Sequence, residues 1–110
     1  MLEEFRVSLQ VKKTFSHEEY HLLQLGRIPR SMEDKWFIYL DGDWLFFHRS
    51  WTGDCIYQLR LEQNNAQYKI AEAWGNSQFL PEKSLRDGKD EQSIALVLTL
   101  IEQLLLSRNT

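Results

Sequence analysis

Lys35, His48, Tyr57 and Glu72 are side chains of the kinds that move protons. An imidazole beside a carboxylate can take up and return a proton near neutral pH, while an ammonium or a phenol steadies the charge that develops. They are scattered along the sequence, so they form a site only if consecutive strands place them in one row. The same four groups also satisfy one another as the hydrogen-bonded margin of a core, which is the commoner fate of polar groups beside apolar ones. Ser50 shares a strand face with His48, but no G-x-S-x-G elbow surrounds it. Cys55 would be a nucleophile only with His48 beside it, and a free cysteine in a strand more often packs as a small hydrophobe.

Two further groups of residues bear on binding. The string His17-Glu18-Glu19-Tyr20-His21 fits H-E-x-x-H, in which two histidines one helical turn apart hold zinc and the glutamate polarises a water. A third ligand would have to come from elsewhere; five letters are few, His17 falls in the first turn of a short helix, and a metalloprotease also needs a substrate cleft that 110 residues rarely provide. A solvated helix face is therefore the reading adopted, with neither metal nor cofactor expected. Trp36, Phe47, Arg49, Trp51 and Arg60 make an aromatic and cationic set. Such a surface stacks a planar ring and pairs with an anion, or supplies the Trp and Arg anchors of a protein contact.

The elements that must position these residues follow from pattern. Residues 5–11 alternate apolar and polar, a strand signal with no partner specified. Ser16 with Glu19 reads as a capping box opening a helix that stops at Gly26, with Pro29 preventing its resumption. Four strands follow, over 35–40, 44–51, 55–62 and 67–74, with turn signals at Asp41-Gly42, Thr52-Gly53 and Asn64-Asn65. Residues 90–106 carry a helical stripe of Ile94, Val97, Leu98, Ile101, Leu104 and Leu105, with Asp90 at its start and Arg108 beyond its end. The fold expected is α+β: a four-stranded antiparallel meander packed on one face by the C-terminal helix and the shorter N-terminal helix, in a single domain over 1–110.

Two-residue turns would fix the register. Tyr39 then faces Trp44, Phe46 faces Leu59, and Lys35, His48, Tyr57 and Glu72 form one cross-strand row. Phe37, Tyr39, Trp44, Phe46, Leu59, Leu61, Tyr68 and Ile70 would form the core face. Trp36, Ile38, Leu45, Phe47, Arg49, Trp51, Ile56, Gln58, Arg60 and Lys69 would form the outer one, with Asp34 opposite Arg49.

Composition sets the outer bounds. A chain of 110 residues that is 43% hydrophobic can bury one core. A formal charge of −3 argues against a general nucleic-acid binder. One cysteine rules out an internal disulfide and suits a reducing compartment. No basic start precedes an apolar run, and the most apolar stretch, 94–106, is too short for a membrane span. A cytoplasmic protein is expected.

The strings Met32-Glu33-Asp34-Lys35-Trp36-Phe37-Ile38-Tyr39, Phe47-His48-Arg49-Ser50-Trp51-Thr52-Gly53 and Cys55-Ile56-Tyr57 resemble a group of small bacterial proteins, some of them associated with ADP-ribosylglycohydrolases. The likeness covers about the middle third of the chain. The dispersed Asp clusters that hold magnesium in those enzymes are missing here, and the chain is far shorter. What the resemblance implies is an accessory role near ADP-ribose or NAD chemistry. The functional reading is a small binding or protein-interaction module using the aromatic and cationic face, with a protein or a small anionic, planar ligand as partner. A homodimer through that face, or through Leu96 and Leu100, accompanies it. The alternative is a small hydrolase-like enzyme centred on His48, Tyr57, Glu72 and Lys35.

Overall fold

Glu19 is three residues beyond Ser16, and the two close a reciprocal cap. The Ser16 hydroxyl accepts from the Glu19 amide, and the Glu19 carboxylate accepts from the Ser16 amide. Free helix donors are thereby satisfied, and helix α1 runs His17–Leu25. In the computed structural model, residues 3–29, 34–79 and 91–106 are described. The helix ends at Gly26, whose φ of 66° and ψ of −165° belong to a region that is essentially glycine-only. A β-carbon there would come within 2.5 Å of the Ile38 carbonyl oxygen. Arg27 and Ile38 then exchange backbone hydrogen bonds of 2.7 and 2.9 Å, which pins the helix exit to a strand edge.

Six strands form one sheet: β1 Arg6–Ser8, β2 Thr14–Ser16, β3 Trp36–Asp41, β4 Trp44–Arg49, β5 Cys55–Asn64 and β6 Gln67–Asn76. The order is β1-β6-β5-β4-β3, with β2 also paired to β6, and every pairing is antiparallel. The four-stranded meander is present as β3 to β6, and the N-terminal segment adds two short strands along β6. Helix α2, Glu91–Leu100, runs on into a π-helical turn, Ile101–Leu106. Its Val97, Ile101 and Leu105 are fully buried. Leu100 is buried with them and Leu96 is exposed, so of the two only Leu96 offers a surface contact. Asp90 and Arg108 lie outside the described residues.

Each turn tip sits one residue from its expected place. Asp41 pairs with Trp44, Asn64 pairs with Gln67, and Arg49 donates to Asp54, so the tips are Gly42-Asp43, Asn65-Ala66 and Trp51-Thr52. These displacements change which residues are opposite but not which share a face. Two bulges do change the faces. The β4–β5 register shifts between His48↔Cys55 and Phe47↔Tyr57, leaving Ile56 as the extra residue. The β5–β6 register shifts between Arg60↔Glu72 and Leu61↔Ile70, leaving Ala71 extra. Beyond the first bulge, Leu45 faces Leu59 and Phe46 faces Gln58. The face pairing Phe46 with Leu59 is therefore corrected: those two side chains point apart.

The core face joins Ile38, Leu45, Phe47, Tyr57, Leu59 and Leu61 to the helices, with Leu23 from α1. Each such side chain is worth roughly 1.5–3 kcal/mol on burial. On strands β3 and β4 the expected faces are thus exchanged. Ile38, Leu45 and Phe47 go inward, and Phe37, Tyr39, Trp44 and Phe46 stand half-buried on the outer face. Both sets are apolar, so patterning did not choose between them. Ile38, Leu45 and Phe47 carry no polar side-chain atom and fit beneath helices, whereas Tyr39 and Trp44 on the other face keep a polar handle that tolerates water. Among the described residues no helix is long and apolar enough to cross a membrane.

Candidate functional site

At the end of the sheet opposite the Gly42-Asp43 turn, residues 49–54 form a braced loop. Arg49 N–H donates to the Asp54 carbonyl at 2.9 Å, and Gly53 N–H donates to the Arg49 carbonyl at 2.8 Å. Ser50 is tied twice to the lead-in of β3. Its amide donates to Lys35 O at 2.9 Å and its hydroxyl to Asp34 O at 2.6 Å. His48 Nδ1 donates to the Gly53 carbonyl at 2.9 Å, which places the proton on that nitrogen. Asp54 N–H adds a 3.3 Å bond to Thr52 Oγ1. Gly53 has a φ of 76°, which the closing turn requires. A loop fixed this way presents its tip with little conformational freedom left to lose.

What it presents is Trp51, 68% exposed. Across from it stands Phe79, 46% exposed, held by the end of β6. Asn76 organises that end. Its Nδ2 donates to the Cys55 carbonyl at 3.0 Å, its Oδ1 accepts from Gln78 N–H at 3.0 Å, and its backbone carbonyl accepts from Phe79 N–H at 3.0 Å. Lys35, Arg49, Trp51, Thr52 and Phe79 line a cleft of about 470 Å³. The Arg49 guanidinium lies 4.8 Å from the centre of the Trp36 ring, and Trp36 in turn stacks on Tyr57 at 6.1 Å. Arg49 is thus steadied by an aromatic face and leaves its donors to the cleft. Among the described residues neither Lys35 nor Arg49 has an acidic partner.

Of the expected binding set, Trp36, Arg49 and Trp51 come together here. Phe47 does not: it is fully buried in the core, edge-on to Tyr57. Arg60 does not either. It stands on the outer face, ion-paired to Glu72, which holds its guanidinium still more firmly protonated. Asp34 does not oppose Arg49, because Trp36 does; Asp34 Oδ1 accepts from Arg27 Nη2 at 2.7 Å.

The expected catalytic row is not formed. Lys35 precedes β3 at the cleft. His48 faces Phe37 on the outer face, its ring 5.4 Å from that of Tyr39. Tyr57 is buried on the core face opposite Phe47 and Gly75. Glu72 serves Arg60. The Ile56 bulge separates Tyr57 from His48, and the Ala71 bulge sets Glu72 against Arg60 instead. Cys55 is buried, its thiol directed to the Tyr57 carbonyl at 3.5 Å, and burial pushes its pKa up. His17 and His21 lie exposed on α1. Among the described residues no three His, Cys, Asp or Glu side chains gather as a metal site would need.

Phe79, Thr52 and Asn76 were not anticipated. Asn76 could have been found, since an Asn after Gly75 and before Ser77 is a side-chain-closed turn in the making. The chain matches no protein-family model, no curated protein and no solved structure.

Proposed function

We propose that the protein is a small binding module whose cleft at the end of the sheet takes a planar, anionic ligand. One observation carries this reading. Two cations without acidic partners among the described residues, Lys35 and Arg49, share a cleft with the exposed rings of Trp51 and Phe79. The rings supply stacking area, and the guanidinium and ammonium supply charge-assisted donors. The volume is within the range of small-molecule sites, and the bracing of residues 49–54 preserves the geometry before the ligand arrives. The resemblance seen in residues 32–57 points toward ligands of the same nucleotide-like kind, though Met32 and Glu33 lie outside the described residues.

The test is titration with three probes, followed by tryptophan fluorescence: adenosine monophosphate, adenosine and inorganic phosphate. The nucleotide should bind about tenfold or more tightly than either part, since one charge-assisted contact is worth about 1.4 kcal/mol or more. Arg49→Ala should lose that advantage, and Trp51→Ala should weaken the nucleotide and adenosine alike. An aryl carboxylate serves as a second planar anion. If neither planar anion binds saturably, or if binding is unchanged in both variants, the reading fails.

A further inference from the structure

The cleft at the end of the sheet is rich in donors and poor in acceptors. Arg49 brings a guanidinium and Lys35 an ammonium, and neither group can accept a hydrogen bond. Thr52 Oγ1 already accepts from Asp54 N–H at 3.3 Å, which leaves the hydroxyl proton to donate. Among the described residues no carboxylate, imidazole or carboxamide lines the cleft. The carbonyls that brace the loop are engaged as well: those of Asp34, Lys35, Arg49, Gly53 and Asp54 each accept within residues 34–54. The ionisable groups nearby leave this balance as it is. Asp34 is paired to Arg27, His48 donates Nδ1–H to Gly53, and Asp54 is exposed and does not line the cleft. On the β6 side, residues 76–79 carry no ionisable side chain.

Two positive charges held in one cleft repel each other until an anion joins them. One negative charge offsets half of that pair, and two offset all of it. A terminal phosphate monoester above its second ionisation, at a pKa of about 6, carries nearly two negative charges and three acceptor oxygens, and no proton. A carboxylate or a phosphodiester carries one charge. A singly ionised monoester keeps a P–OH, whose proton meets no carboxylate or carboxamide in this lining. Resting on the reading of the cleft as a site for a planar anion, we infer that it selects a planar ring bearing a terminal phosphate monoester in the doubly ionised form. Arg49, held 4.8 Å from the centre of the Trp36 ring, presents its fork to two phosphate oxygens. Lys35 supplies the second charge as a point, and Trp51 and Phe79 take the ring.

Adenosine monophosphate and its methyl phosphate ester share the ring and the sugar and differ by one charge. At pH 7.5 the monophosphate should bind about tenfold more tightly than the ester. At pH 5.5 only about a quarter of the monophosphate is doubly ionised, so the ratio should fall to about threefold. The ratio is the readout because protonation of the protein, at His48 beside the loop above all, acts on both ligands. Lys35→Gln should bring the ratio at pH 7.5 close to one, and Lys35→Arg should keep it. A ratio below about twofold at pH 7.5, a ratio insensitive to pH, or one that survives Lys35→Gln overturns the inference. So does saturable binding of an aryl carboxylate without either nucleotide; in all of these cases the reading of the cleft as a planar-anion site stands. If neither the nucleotides nor the aryl carboxylate bind saturably, that reading falls too. The two ratios in the unaltered protein need no substitution, so a misfolded variant leaves them decisive.

Discussion

Asn76 joins two otherwise separate parts of the cleft, and replacing it by Ala should show how far the cleft depends on that joint. The side chain is buried and uses both ends. Nδ2 holds the Cys55 carbonyl at the start of β5, and Oδ1 holds the Gln78 amide in the turn that carries Phe79. Losing two hydrogen bonds at about 1 kcal/mol each, with buried groups left short of a partner, gives roughly 2–3 kcal/mol of destabilisation. For a chain of this size that lowers Tm by about 8–12 °C. Calorimetry and urea unfolding read the stability, and nucleotide titration should show several-fold weaker binding as Phe79 loses its anchor. Asn76→Asp separates the two roles. The carboxylate still accepts from Gln78 but cannot donate to the Cys55 carbonyl, so it is held unfavourably when charged. Its folded pKa is then raised above the ordinary carboxyl value of about 3.9. Stability relative to the unaltered protein is greatest below that value and is lost as pH rises through the folded pKa. A loss under about 0.5 kcal/mol in Asn76→Ala, or an Asp variant with no pH dependence beyond that of Ala, would refute this account.

Three further outcomes follow from the placement of residues. Phe47→Ala should cost about 3–5 kcal/mol and Phe46→Ala under about 1.5, because the first is fully buried and the second half-buried on the outer face; equal losses in urea unfolding would contradict the two-faced arrangement. Gly26→Ala should cost about 3 kcal/mol, combining a glycine-only conformation with a 2.5 Å approach to the Ile38 carbonyl oxygen, while Gly42→Ala, left-handed but with open space around it, should cost about 1 kcal/mol. Burial raises the Cys55 pKa, so the native thiol should stay unreactive toward a disulfide reagent at pH 8 and react only on unfolding. The same shift contributes stability below the ordinary thiol pKa and loses it as pH rises through the folded value, so unfolding midpoints should fall on the alkaline side.

Local chemistry was the legible part of this sequence. Ser16 and Glu19 are three residues apart, and the cap they form involves nothing distant. Gly26 ends the helix for reasons that lie in its own backbone. The existence of β3 to β6 and of the C-terminal helix followed from period and turn residues in the same way. The N-terminal strand expected over 5–11 forms only over Arg6–Ser8, and a second short strand that was not expected, Thr14–Ser16, rejoins β6 on the far side of the bulge at Ala71.

Facing was illegible because it depends on parity, and one bulge reverses parity for everything beyond it. Ile56 carries no turn signal, being a β-branched residue in a run of strand formers. Nothing local marks Cys55, Ile56 and Tyr57 as three consecutive buried positions. The row of Lys35, His48, Tyr57 and Glu72 was an arithmetic product of unbroken alternation, and it vanishes with one inserted residue. The cluster of Trp36, Arg49 and Trp51 was more robust for a physical reason. All three lie on the β4 side of the bulge or within the loop that precedes it, where parity is still intact. Phe47 and Arg60 illustrate the limit from either side. Phe47 still shares a face with Trp36 and Arg49, but that face is the core side, which hydrophobic pattern could not tell from the outer one when both were apolar. Arg60 lies past the bulge, so its separation from Arg49 follows from the same extra residue that dissolves the catalytic row.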